Sequence, residues 1–289
     1  MIAINKLKNW NPPDGWIEIQ TIDSHTEGEP LRIILSGYPA LKGKTLLEKR
    51  TNAHRLHDEL RKALIWEPRG HRDMYGAIIV EPDTPGADFG VIFIHNEGYS
   101  TGCGHAVIAL TKVFVETGLI PMNEPETEVK MDVPSGFIKS YAKVKNGQVT
   151  GVRFKNVPSF VQSIGAKVDV PGLGTINYDL AFGGAFYVFV DVAQLGLDCT
   201  SKYQNQLIET GMKIKHAVMS SVEMVHPLEP DMNFLYGTIF TDVSKNPGHH
   251  SRNVCIFAEG EMDRSPTGTG VSARAAILHA KGKIKLGES

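Results

Sequence analysis

Two stretches of this chain read alike: "CGHAVIALTKVFVETG", residues 103–118, and "TGTGVSARAAILHAKG", residues 267–282. Laid over each other without a gap, they match Gly104 with Gly268, Val107 with Val271, Ala109 with Ala273 and Gly118 with Gly282. Val113 falls over Ile277 and Phe114 over Leu278. Each stretch follows an apolar run ("GVIFIHN" and "NVCIFAEG"), passes through a loop of Gly, Ser or Pro, and opens a mostly apolar helix that ends at a C-cap glycine. Apolar helices of this kind are buried. The repeat therefore predicts an α+β fold of two pseudo-symmetric lobes, each with strands wrapped around a central helix.

Related lobes place equivalent points about a pseudo-axis, so the two helix starts should face each other across the cleft. Their apex residues are Cys103 and Thr267. A helix start offers unpaired N–H groups and the positive end of the helix dipole, and glycine beside the apex lets a ligand approach the backbone. Two such ends aimed at one spot suit a small carboxylate. The same surroundings are expected to lower a cysteine pKa from its free value of about 8.5, which makes Cys103 a candidate base.

Around these helices lie many short β-branched runs, among them "GWIEIQTID", "GAIIVEP", "VTGVRFKNVPSFV" and "NFLYGTIFTD". Helical periodicity covers residues 44–65, with Leu56, Leu60, Ala63 and Leu64 on one face, then 104–117, 201–215 and 268–281. The weakest joint is "AKVKNGQVTG", where Asn146-Gly147 fits a hairpin turn or a domain link. It divides the chain into a first lobe, 1–145, carrying the Cys103 helix, and a second, 146–289, carrying the Thr267 helix.

The 289 residues carry 42% hydrophobic and 21% charged side chains at a net charge of −2, the balance of a globular domain pair. No basic field is present for nucleic acid or an anionic membrane, so a small-molecule substrate is the expected partner. No apolar run approaches the ~20 residues of a membrane span. The start "MIAINKLKNWNPPDGW" lacks a signal-peptide core, and the expected location is the cytoplasm.

Other chemistries fit less well. Gly268, Gly270 and Ala273 match a dinucleotide fingerprint, but the following βαβ unit and acidic residue have no room in the 16 residues after Ala273. His249-His250 lacks metal-ligand spacing, so no metal site is expected. Cys103 and His105 stand two apart at a helix start, where successive side chains diverge, so His105 is assigned to the ligand and not to a Cys/His pair. Cys199 and Cys255 read as structural.

The chain resembles the proline racemase superfamily over most of its length: "DSHTEGEPLRI" at 23–33, "EPRGHRDMYGA" at 67–77, "HNEGYSTGCGHAVIAL" at 95–110, "DVPSG" at 132–136, "NVPSF" at 156–160, "GGAFY" at 183–187, "LYGTIF" at 235–240 and "DRSPTGTGVSAR" at 263–274. The resemblance implies a diaminopimelate epimerase-like fold that works without cofactor, using paired apex cysteines as base and acid on opposite faces of an α-carbon. Threonine at the second apex is the pattern of the branch that dehydrates trans-3-hydroxy-L-proline to pyrroline-2-carboxylate. By the same resemblance Cys103 is the catalytic base, while Gly104, His105, Gly268 and Thr269 hold the substrate carboxylate. Asp263 meets the ring ammonium, Thr267 marks the lost second acid/base, and Tyr75 and Phe257 wall the ring.

Family members usually continue past the second helix with strands that return to the first lobe, whereas this sequence stops at "KGKIKLGES". An incompletely closed first lobe with an open strand edge is the expectation. Two alternatives stay open: a proline or hydroxyproline racemase or epimerase, and a truncated non-catalytic paralogue. The state of assembly, a homodimer included, is open as well.

Overall fold

The computed structural model describes residues 10–288, so most of the N-terminal stretch read for a targeting signal lies outside the described residues. Strands β1 (Gln20–Thr26), β2 (Glu29–Ser36), β3 (Tyr75–Val80), β4 (Phe89–His95), β5 (Gly98–Ser100), β6 (Glu126–Val133), β7 (Gly136–Lys145) and β8 (Gln148–Lys155) form one sheet. Its order is β1-β2-β3-β4-β6-β7-β8, with β5 paired to β4. The second sheet holds β9 (Phe160–Val170), β10 (Gly174–Phe182), β11 (Phe186–Asp191), β12 (Leu235–Asp242), β13 (Arg252–Phe257) and β14 (Glu261–Met262), in the order β14-β13-β12-β11-β10-β9. Mixed sheets with few helices give the α+β, two-lobed architecture that the repeat implied.

Helix α1 (Leu46–Ile65) packs on β4 and β5, and α2 (Gly104–Glu116) lies inside the first sheet against β8, β7 and β1. Helix α3 (Gln204–Ser221) covers β12, and α4 (Gly268–Ala280) is held by β9 and β10. The repeated pair is matched in length and in termination: Gly118 and Gly282 take φ of 77° and 66°, the left-handed conformation that glycine reaches without a Cβ clash. Burial is not matched. Nine residues of α2 are buried but only four of α4, and Val271 is 50% exposed, because no described strand covers the outer flank of α4.

Three sequence expectations shift. Asn146 and Gly147 both have positive φ, 54° and 70°, and turn the β7–β8 hairpin, so the link option is excluded. Strand β8 thus belongs to the first sheet, and the change of sheet falls between Lys155 and Phe160, where Pro158 interrupts the run read as one strand. In α1 the buried face runs through Leu46, Ala53, Leu64 and Ile65, while Leu56 is exposed. His57, at φ −133° and ψ 16°, breaks the helical phase between the two halves.

One continuous core links the lobes, with Leu31, Phe93, Val107 and Leu110 from the first and Phe182, Phe186, Tyr187 and Phe240 from the second. Among the described residues no helix is long and apolar enough to cross a membrane.

Candidate active site

The helix starts of α2 and α4 abut. A Cβ on Gly104 would stand 2.9 Å from the Gly268 Cα, and one on Gly268 would stand 3.1 Å from the Gly104 Cα. Only glycine at both positions allows that approach, and the approach brings Cys103 and Thr267 to the walls of one small cavity. Both apex side chains are buried, Cys103 at 6% exposure and Thr267 at 4%. The two caps nevertheless differ. Cys103 is extended (φ −153°), whereas Thr267 is left-handed (φ 61°), an uncommon state for a β-branched residue.

Asp263 organises the second loop. Its carboxylate accepts the Ser265 N–H at 2.7 Å and the Thr267 hydroxyl at 2.7 Å, and the Ser265 Oγ accepts the Thr267 N–H at 3.0 Å. The Thr267 hydroxyl is thereby committed as a donor. Thr269 is fixed from its side chain, whose Oγ1 lies 2.7 Å from the Tyr187 hydroxyl, leaving the first backbone N–H groups of α4 without helical partners.

Aromatic rings close the remaining walls. Tyr75 and Phe257 line the cavity, together with Tyr187 and Tyr236, which the sequence reading did not single out. The Tyr75 hydroxyl lies 2.6 Å from that of Tyr236 and donates to the Ser100 Oγ at 2.8 Å. Behind them, His95 Nδ1 lies 3.1 Å from Glu261 Oε2, a buried pair that spans the lobes. Cys255, read as structural, also lines the cavity, while Cys199 does not: it sits in the loop after β11 with its thiol near the Phe240 carbonyl of β12. His249 and His250 are exposed and remote from the cavity.

Two electrostatic expectations are corrected. The backbone N–H groups of Ala106 and His105 do favour the Cys103 thiolate, but burial, aided by the nearby Asp263 and Glu29 carboxyls, raises the thiol well above its usual range. His105 does not diverge from Cys103: its Nδ1 lies 3.2 Å from the sulfur. Burial pushes the His105 imidazole down to about 4, so the contact joins a neutral thiol to a neutral ring at neutral pH.

Glu29 was missed, although it stands in the quoted stretch "DSHTEGEPLRI". It is fully buried at the start of β2, accepts the Arg264 N–H at 2.7 Å, and has its carboxyl pushed up to about 8, first by burial and then by Asp263. Glu29, His105 and Asp263 each offer one ligand atom, all within 4.8 Å of one another, and among the described residues these are the ones that could hold a cation. They come from three distant segments, which is why the search for local histidine spacing passed over them.

A family model for proline racemase matches residues 21–289. A trans-3-hydroxy-L-proline dehydratase of Colwellia psychrerythraea is 50% identical over 99% of this chain and 82% of its own. A 3-hydroxyproline 2-epimerase of Burkholderia multivorans is 44% identical over 94% of this chain and 81% of its own. A solved hydroxyproline epimerase of Agrobacterium vitis, with trans-4-hydroxy-L-proline bound, superposes with a TM-score of 0.88 at 33% identity, covering 94% of this chain and 79% of that one.

Proposed function

The chain belongs to the proline racemase family, and from that premise we propose that it dehydrates trans-3-hydroxy-L-proline to pyrroline-2-carboxylate with Cys103 as its base. The observation that carries the reading is the single titratable apex: Cys103 on one helix start, and on the other a Thr267 hydroxyl already donated to Asp263. Racemisation needs an acid and a base on opposite faces of the α-carbon, both able to titrate near neutral pH, and a threonine hydroxyl does not. Dehydration needs one face. In trans-3-hydroxy-L-proline the hydroxyl is trans to the carboxylate and so lies on the same side of the ring as the α-hydrogen.

In this mechanism the substrate carboxylate sits between the helix starts, on the N–H groups of Gly104, His105, Gly268 and Thr269, where charge flowing from the α-carbon is stabilised. The ring ammonium lies toward Asp263, and its positive charge offsets the carboxylates that raise the Cys103 thiol. The Cys103 thiol, neutral at rest, first gives its proton to solvent, and the transient thiolate takes the α-proton. The C3–O bond then breaks, and the thiol returns that proton to the departing hydroxide, giving water and an enamine that tautomerises to the cyclic imine.

The test is a direct assay of imine formation by wild type and Cys103→Ser. Serine keeps the size and loses the accessible pKa, so a fall of at least about 100-fold is expected with an unchanged fold, while Cys199→Ser remains at the wild-type rate. Near-normal imine production by Cys103→Ser removes Cys103 as the base. The epimerase alternative has the Burkholderia relative in its favour, and accumulation of the inverted stereoisomer in the same assay would establish it.

A further inference from the structure

Glu29 is the carboxyl group of the cavity to which the reaction above assigns no role. The β1–β2 hairpin delivers it: the Thr26 hydroxyl donates to the His105 carbonyl at 2.9 Å, tying the hairpin to the start of α2. Its Oε2 accepts the Arg264 N–H, but its Oε1 has no partner, although the residue is 0% exposed. Buried carboxyl oxygens are nearly always satisfied, so this unpaired oxygen marks a place where a hydrogen-bond partner fits. Asp263, across the cavity, has both oxygens oriented by its own loop, and one carboxyl oxygen of each residue lies within 4.8 Å of the other.

That spacing has a geometric meaning. A secondary ammonium carries two N–H bonds at the tetrahedral angle, and with charge-assisted bonds of about 2.8 Å its two acceptors stand about 4.6 Å apart. We infer that Glu29 and Asp263 form a two-carboxyl clamp on the ring nitrogen, one N–H to each, so that Glu29 selects ligands whose nitrogen is a protonated secondary amine. This rests on the proposed function, since it places the ammonium end of the same substrate.

The test is titration calorimetry on the full chain near pH 7 with wild type, Glu29→Gln and Glu29→Asp. L-proline has the ammonium but no 3-hydroxyl; pyrrole-2-carboxylate has the ring and carboxylate but no ammonium. Wild type should bind both. Glu29→Gln should bind L-proline roughly 10- to 100-fold more weakly and change pyrrole-2-carboxylate by less than about threefold, with Glu29→Asp intermediate. Equal weakening of both ligands overturns the clamp. So does Zn²⁺ binding that depends on Glu29 while L-proline binding does not, an outcome that identifies a cation site. Failure of wild type to bind either ligand overturns the proposed function and the clamp with it; binding of pyrrole-2-carboxylate with no loss of L-proline affinity in Glu29→Gln overturns the clamp alone.

Discussion

Replacing Gly104 by alanine tests whether contact between the two helix starts sets the reaction geometry. The added Cβ would lie 2.9 Å from the Gly268 Cα and 3.2 Å from the Phe154 Cζ. Carbon atoms in contact prefer about 3.5–4.0 Å, so the helix starts must part by roughly 0.6–1 Å. Overpacking of this kind costs about 1–3 kcal/mol, a Tm loss of roughly 2–5 °C for a chain of this size. Intrinsic propensity pulls the other way, since alanine is favoured over glycine in a helix by about 0.5–1 kcal/mol, so a net loss of stability would itself show that the contact dominates. Displacement of reacting groups by about 1 Å lowers a rate on the order of 100-fold. Imine formation and thermal unfolding should therefore both report the change, kcat far more strongly than Tm. Gly151→Ala, on β8 with nothing within 4 Å of the new Cβ, serves as the control and should alter neither. A Gly104→Ala protein with kcat within twofold of wild type would refute the reasoning.

L-proline in heavy water should exchange its α-proton with retained configuration, because Cys103 works on one face, and NMR should detect no D-proline; Thr267→Cys should add detectable racemisation, and its appearance in wild type at a rate comparable with dehydration would refute the one-base mechanism. Pyrrole-2-carboxylate, flat at the α-carbon, should protect Cys103 from alkylation, as measured by mass spectrometry of the labelled peptide, and unchanged labelling at saturation would remove the site from between the helix starts. Glu29 has a folded pKa of about 8, raised above its ordinary 4.5, so its contribution to stability is complete below pH 4.5 and is lost as pH rises toward 8. His105, lowered to about 4 from 6.5, acts with the opposite sign, its contribution being lost as pH falls from 6.5 to 4. Between pH 6.5 and 8 Glu29 acts alone of the two, and denaturant titration should show on the order of 1–2 kcal/mol of stability lost there, a slope that Glu29→Gln flattens.

The parts of this site legible in the sequence are those with local signatures. Gly104, Gly268, Gly118 and Gly282 punctuate two matched apolar helices, and that punctuation reads the same in one dimension as in three. Contacts between distant segments leave no such mark. Glu29 reaches the cavity from β2 and Tyr236 from β12, and neither has a sequence neighbour that betrays its destination. The direction of the Cys103 shift failed for a related reason: the helix start is local and was recognised, but the burial that outweighs it is a property of both lobes together. His105 meets Cys103 because an extended N-cap residue does not follow the helical side-chain spacing on which their divergence was argued. The boundary between sheets was displaced because a hairpin and a link share the same Asn-Gly signal.

The Tyr75–Tyr236 hydroxyl pair joins β3 to β12 at the wall of the cavity, and the Glu29–Arg264 and Asp73–Met262 bonds join the same two lobes. With Cys103, Thr267 and Glu29 all nearly inaccessible, a substrate must meet a more open form, and each of these three bonds adds to the cost of reaching it. At a net worth of about 0.5–1.5 kcal/mol each, together they lower the population of that form roughly 10- to 2,000-fold relative to a protein without them. Apparent affinity falls by that same fraction, so a ligand that binds weakly in solution can still be held tightly once enclosed. Removing the Tyr236 hydroxyl would then act as a gain for capture and a loss for retention, faster on and faster off, with the resting protein sampling its open form more often.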